Sequence, residues 1–207
     1  MRILITAGGT REYIDPVRFI SNASSGRMGY ALARAALKAG HKVTLVTAPA
    51  SIRVPAGVRI VKVETAAQMF EAVKKYFVKC DCLIMAAAVA DYTPAKVSKT
   101  KIKKGPVRLT IELKPTVDIL AWAGRHKKKN QLLVGFALED KNLRQNAEKK
   151  LSDKNLDIII ANTPAALGDE KSAVHIKVCG RPWLEFAAAG KAVIARRILN
   201  LIGTTGL

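Results

Sequence analysis

Residues 8–29 constrain the fold most, because they separate an apolar run from a helical pattern. Ile3-Leu4-Ile5 stops just before them. From Met28 on, Ala31, Leu32, Ala35, Ala36 and Ala39 recur at helical spacing as far as Gly40, a residue suited to end a helix. The intervening residues are Gly8-Gly9-Thr10-Arg11, Asp15-Pro16-Val17-Arg18-Phe19 and Ile20-Ser21-Asn22-Ala23-Ser24-Ser25-Gly26-Arg27-Met28-Gly29. A buried strand, a long loop and a helix are expected in that order. Glycine lets the backbone approach a ligand closely, and small hydroxyl and amide side chains hydrogen-bond to an anion at a helix N-terminus. A phosphate suits such a place.

Strand and helix patterns then alternate. A second buried strand over 41–47 completes a βαβ unit of the nucleotide-binding type. Residues 58–63 alternate as a strand, Thr65 is placed to cap a helix reaching about residue 78, and 82–88 is a core strand. Further strands are expected over 132–137 and 157–162, with helices over 117–125 and 142–154. Residues 173–178 and 183–186 read as a terminal antiparallel pair, followed by a last helix over 191–202. The fold class is α/β, a Rossmann-like doubly wound, mostly parallel sheet in a single domain over 1–207. Ligands in such sheets lie beyond the carboxyl ends of the strands. That rule selects 8–10, 86–91, 136–140 and Asn162 for one site. The rhythm breaks at 92–115, where five lysines fall between Lys96 and Lys104 and 107–113 alternates. A basic flap beside an antiparallel arm is expected there.

The net charge of +19 implies anionic partners. Single-strand nucleic-acid recognition interleaves aromatics with basic residues, yet only 5% of the chain is aromatic. Phosphate-bearing metabolites therefore fit better than nucleic acid. Apolar runs are far shorter than the roughly 20 residues of a membrane span, and the start of the chain lacks a signal-peptide segment. A cytoplasmic protein is expected. Cys80, Cys82 and Cys179 lack metal-site spacing and read as reduced thiols, with Cys82 a small buried hydrophobe.

With these motifs in place, the chain resembles the phosphopantothenoylcysteine synthetase (phosphopantothenate–cysteine ligase) family, in its bacterial form. The resemblance runs through Gly8-Gly9-Thr10-Arg11, the 15–29 motif, Ala87-Ala88-Val89-Ala90-Asp91-Tyr92, Lys101-Ile102-Lys103-Lys104, Val134-Gly135-Phe136-Ala137 and Lys154-Asn155-Leu156-Asp157 leading to Ala161-Asn162. It implies a two-step ligation. The carboxylate of phosphopantothenate attacks the α-phosphate of CTP, or alternatively ATP, with Mg²⁺ present, and pyrophosphate leaves. The amine of L-cysteine then displaces CMP from the acyl-cytidylate. The flavin-dependent decarboxylase often fused to such domains is absent from these residues, so no flavin is expected, although a separate decarboxylase could be a partner. A homodimer is also implied, with an arm from 92–115 helping to build the site.

The same resemblance assigns roles. Gly9, Asn22, Ser24, Gly26, Gly29, Ala87 and Asn162 would bind phosphopantothenate, Asn22 also holding the acyl intermediate for attack by cysteine. Lys101 would stabilise charge on the α-phosphate. Met85, Ala86, Ala87, Asp91, Val117, Asp118, Ile119, Leu120, Phe136, Lys150 and Lys154 would line the nucleotide site, and the metal ligands are unassigned. Where relatives carry Asn-Pro-Asp-Ile, this chain has Thr116-Val117-Asp118-Ile119. From the residues alone, Lys101 is one lysine among five, Phe136 could be core, and Lys150 with Lys154 could be a solvated helix face. Two other functions stay open at this level: an NAD(P)-dependent Rossmann oxidoreductase, although Gly-x-Gly-x-x-Gly and an acidic residue after Thr47 are missing, and a basic nucleic-acid-binding module.

Overall fold

The computed structural model describes residues 1–106, 108–163 and 171–205. Strand β1 (Arg2–Ala7) leads through a hairpin, β2 (Arg11–Tyr13) and β3 (Phe19–Ser21), into α1 (Arg27–Lys38). Next come β4 (Lys42–Thr47), β5 (Arg59–Lys62), α2 (Ala66–Phe77) and β6 (Cys82–Met85). Two short strands, β7 (Tyr92–Pro94) and β8 (Leu113–Pro115), precede α3 (Ile119–His126) and β9 (Leu132–Leu138). The remaining elements are α4 (Leu143–Asp153), β10 (Ile158–Asn162), β11 (Lys171–Val178), β12 (Trp183–Gly190) and α5 (Lys191–Thr204).

Eight strands form one sheet in the order β12-β11-β10-β9-β6-β1-β4-β5. Central β1 pairs in parallel with both β4 and β6. The chain thus winds outward through β4 and β5, returns to β6, and winds the other way through β9 and β10. The strand order reverses between β1 and β6, the crevice where ligands of open α/β sheets bind. Strand β11 runs antiparallel to β10, and β12 antiparallel to β11, so β12 again points the way β10 does.

Alternate residues of each strand serve the two faces. Ile3, Ile5, Val43, Leu45, Ile84 and Ile160 pack under α1 and α5, whereas Leu4, Val46, Leu83, Leu133 and Ile159 pack under α2, α3 and α4. Because both faces are covered, these strands read as continuous apolar runs. Helix α2 begins where Thr65 was expected to cap it, in a capping box with Gln68. Burial pushes the Cys80 thiol up to about 12 and raises the Cys82 thiol too, as the small-hydrophobe reading requires. Cys179 is exposed.

Three details differ from the sequence reading. The loop over 8–29 contains the β2–β3 hairpin, because Asp15 Oδ1 accepts from Val17 N at 2.9 Å and Arg18 N at 2.8 Å and closes a tight turn. The antiparallel arm forms, but its ladder joins Tyr92–Pro94 to Leu113–Pro115 rather than running over 107–113. Val107 lies outside the described residues, and 108–112 belong to no strand, although Glu112 O accepts from Ala95 N at 2.9 Å just beyond the ladder. Helix α3 starts at Ile119 rather than 117, because Asp118 caps it by accepting from Ala121 N at 2.9 Å.

Candidate active site

A cleft of about 570 Å³ opens at the carboxyl ends of β1, β6, β9 and β10. Its first end is the start of α1. Gly26 caps that helix with φ 75°, a left-handed conformation that glycine adopts without strain, and no side chain caps the helix. No acidic residue occupies its first turn. The first backbone N–H groups of α1 are therefore left for a ligand, with Ser24 beside them accepting from Gly26 N at 3.3 Å. An anion is what this end can hold.

The middle of the cleft is laced to the sheet. Ala88 N donates to Gly8 O at 2.9 Å and Thr10 N to Ala88 O at 3.2 Å, so 86–90 extend the parallel pairing beyond β6. Two buried threonines complete the lacing: Thr6 Oγ1 accepts from Ala87 N at 3.1 Å, and Thr10 Oγ1 from Ala90 N at 2.9 Å. The Asn22 amide donates to Val89 O at 3.1 Å, which sets it across from this wall. Asp91 lines the cleft, and its backbone carbonyl accepts from Thr116 N at 2.9 Å, while Thr116 Oγ1 donates to Ala90 O at 2.6 Å. Thr116 thereby ties the α3 entry to the wall.

The far end carries the charge. Lys150 projects from the last turn of α4 and Lys154 from its C-cap, and each is paired: Lys150 with Glu139 at 2.6 Å, Lys154 with Asp118 at 2.8 Å. Partial burial works against charge on Glu139, yet hydrogen bonds from Lys150 and Asn146 outweigh it and hold the carboxyl below its usual range. Asp118 is lowered likewise, Lys154 and the Ala121 N–H outweighing desolvation. Val117, Ile119, Leu120 and Phe136 supply the apolar lining, and Asn162 closes the floor at the end of β10.

The cleft brings together every residue expected at the site except Gly9, Gly29 and Lys101. Gly9 acts one layer back, since a Cβ there would stand 2.8 Å from Asn22 O. Gly29 seats α1 on β1, where an added Cβ would stand 2.5 Å from Ala7 Cβ. Lys101 is exposed on the flap, outside the lining. Lys191, at the start of α5, lines the cleft and donates to Ser172 Oγ. The sequence reading missed it, although two strand reversals after β10 return the carboxyl end of β12 to the ligand side. Among the described residues no group of three or more His, Cys, Asp or Glu side chains forms a metal cage, and no helix is long and apolar enough to cross a membrane.

The sequence model of the family described as the DNA/pantothenate metabolism flavoprotein C-terminal domain matches residues 1–205. Over 97% of its length the chain is 48% identical to a cysteine/cysteine sulfinic acid decarboxylase from an unknown prokaryotic organism, spanning 58% of that protein. Over 97% of its length it is also 42% identical to the coenzyme A biosynthesis bifunctional protein CoaBC of Borreliella burgdorferi, spanning 52% of it. Among solved structures, the C-terminal domain of a CoaBC protein superposes with a TM-score of 0.86 at 41% identity, covering 99% of this chain and 94% of that one. The chain spans about half the length of the curated relatives it matches.

Proposed function

The chain belongs to the family of the DNA/pantothenate metabolism flavoprotein C-terminal domain, and from that premise we propose that it ligates 4′-phosphopantothenate to L-cysteine in coenzyme A biosynthesis, driven by CTP. The observation that carries this reading is the single cleft with an uncapped helix N-terminus at one end, two lysines at the other, and Asn22 between them. Two anionic groups at opposite ends of one extended adduct fit that layout. The phosphate of phosphopantothenate takes the α1 end, with Ser24 and Lys191 beside it. The triphosphate takes the α4 end, where it displaces Glu139 and Asp118 from Lys150 and Lys154. The base lies against Phe136 and the 117–120 turn.

In the first step the pantothenate carboxylate attacks the α-phosphate and pyrophosphate leaves. Lys101, exposed on the flap, stabilises the developing charge with a flexible ammonium that can follow it. In the second step the cysteine amine attacks the acyl carbon and CMP leaves, with the Asn22 amide holding the acyl group. Magnesium entering with the triphosphate would take one or two carboxylates and keep its waters, neutralising charge on the phosphate oxygens. Asp91 and Asp118 are carboxylates of the cleft lining that could offer it an oxygen. The apolar residues exposed along the hairpin and arm, Val17, Phe19, Tyr92 and Leu113, form the face on which a second copy would pack.

The test follows pyrophosphate in the presence of phosphopantothenate, cysteine, Mg²⁺ and either CTP or ATP. No release with either nucleotide sinks the proposal. Lys101→Gln is expected to abolish release, whereas Asn22→Asp still forms the acyl-nucleotide and consumes it slowly; a stall at the same step in both variants refutes their separate roles. Carbon dioxide evolved from cysteine without pyrophosphate would favour the decarboxylase activity named in one relative.

A further inference from the structure

Asp15 and Arg18 lie outside the cleft, and the two-step chemistry leaves them without a task. Yet Asp15 is fully buried, with 0% exposure. An ionised carboxylate so placed is costly unless its oxygens are filled. Here they are. Oδ1 accepts from the backbone of Val17 and Arg18, and Oδ2 from Arg18 Nε at 2.9 Å, from a terminal guanidinium nitrogen of Arg18, and from Ile102 N at 3.1 Å. The same guanidinium donates to Ile102 O at 2.8 Å. The Ile102 peptide is therefore gripped on both sides, and a further bond from Ser98 N to Ile14 O at 3.0 Å ties the flap to the same turn. Lys101 is the neighbouring residue.

The turn that holds Ile102 is one end of the β2–β3 hairpin. Asn22 directly follows the other end. The hairpin is braced along its length: Arg11 N donates to Glu64 O at 2.7 Å, buried Glu12 accepts from Ala66 N at 2.8 Å, and the Arg11 guanidinium lies over the Phe19 ring at 4.5 Å. Ser21 Oγ donates to Thr10 O at 2.7 Å and fixes the Asn22 end to the sheet.

We infer that Asp15, acting through Arg18 and the Ile102 peptide, is a positioning residue for Lys101, with the braced hairpin as the rigid spacer that sets where the lysine stands relative to Asn22. This rests on the reading of Lys101 as the residue that serves the first step. Arginine is required in the bridge, because one planar fork must face a carboxylate and a carbonyl together, which a lysine ammonium cannot reproduce. Hydrogen bonds from Arg18 hold the Asp15 carboxyl far below the usual range, so the anchor stays charged throughout the working pH.

Asp15→Asn and Arg18→Lys test this, the second altering a side chain 44% exposed and so sparing the fold if the first does not. Amide hydrogen exchange at Ile102 should quicken by about tenfold or more in both, with Ile5 in β1 unchanged, as local opening without global unfolding requires. Pyrophosphate release in a single turnover should slow by about 100-fold, the scale of a reacting group misplaced by about 1 Å. The nucleotide KM should stay within about threefold, because binding is not the step affected. Exchange needs no substrate, so the two readings fail separately. Unchanged exchange at Ile102 overturns the anchor. Faster exchange with release at the unaltered rate, or with a fully active Lys101→Gln chain, overturns the positioning role.

Discussion

The sheet-borne wall of the cleft and the basic flap outside it are held by opposite means. The wall over 86–91 is bonded to 6–10 through backbone bonds and the buried hydroxyls of Thr6 and Thr10, on strands whose side chains are buried on both faces. The flap over 98–102 hangs from one hairpin turn, through a backbone bond from Ser98 to Ile14 and through bonds at Ile102 that converge on one carboxylate and one guanidinium. The wall has no side chain whose loss would free it, whereas the flap has two. On the proposed function, a surface that presents the same donors to every substrate is made of backbone, and a lysine that would follow a moving charge is held at one point and left exposed.

The largest effect that sharpens this contrast is on stability. Gly29→Ala drives a methyl to 2.5 Å from Ala7 Cβ and 2.9 Å from Thr6 O, inside the α1–β1 seam. Overpacking of this kind should cost about 3 kcal/mol. Thermal unfolding should then shift down by roughly 6–12 °C for a chain of this size. A variant as stable as the parent would show that the wall yields.

Next in size is an effect on binding. Lys150→Ala with Lys154→Ala should raise the nucleotide KM by about tenfold or more, since hydrogen bonds to charged groups contribute about 1.5–3 kcal/mol each. Lys150 is 42% and Lys154 25% exposed, so losing their pairs should move stability by no more than about 1 kcal/mol. A large fall in melting temperature with KM unchanged would make these lysines structural.

The smallest effect concerns acid. Asp15, Asp118 and Glu139 all titrate below their usual range in the folded chain. The unfolded chain, with ordinary carboxyl values of about 4, binds protons first, so stability is present above pH of about 4 and is lost as pH falls toward the folded values. Asp15→Asn should flatten that loss between roughly pH 4 and 2 when unfolding is followed by circular dichroism. An identical acid limb would mean that Asp15 carries no such linkage.

Much of this was legible before any coordinates. Strands β1, β4, β6, β9 and β10 are apolar because both faces of the sheet are covered, and such runs stand out in a sequence. Their carboxyl ends located the cleft, including Asn162, whereas Asn22 came from the resemblance. The hairpin inside 8–29 was not legible, because its turn is closed by one aspartate side chain and its strands are three residues long. The arm was placed too early, because alternation marks a half-buried face but does not say where a partner lies. Lys191 was missed although the antiparallel pair before it was read, because the side of the sheet on which β12 ends follows only from how that pair joins β10.

The sequence by itself determined the alternating architecture, the glycines that let α1 meet β1, and the family. The architecture and the glycines rest on hydrophobic period and backbone stereochemistry, which are local, and the family rests on motifs spread along the chain. Only the tertiary structure decided that Lys150 and Lys154 rest on carboxylates, that Lys101 stands outside the cleft, and that a buried Asp15 87 positions away holds its neighbour Ile102. Ion pairs and anchors join residues that the chain separates, and their energies exist only once folding has removed the water between them.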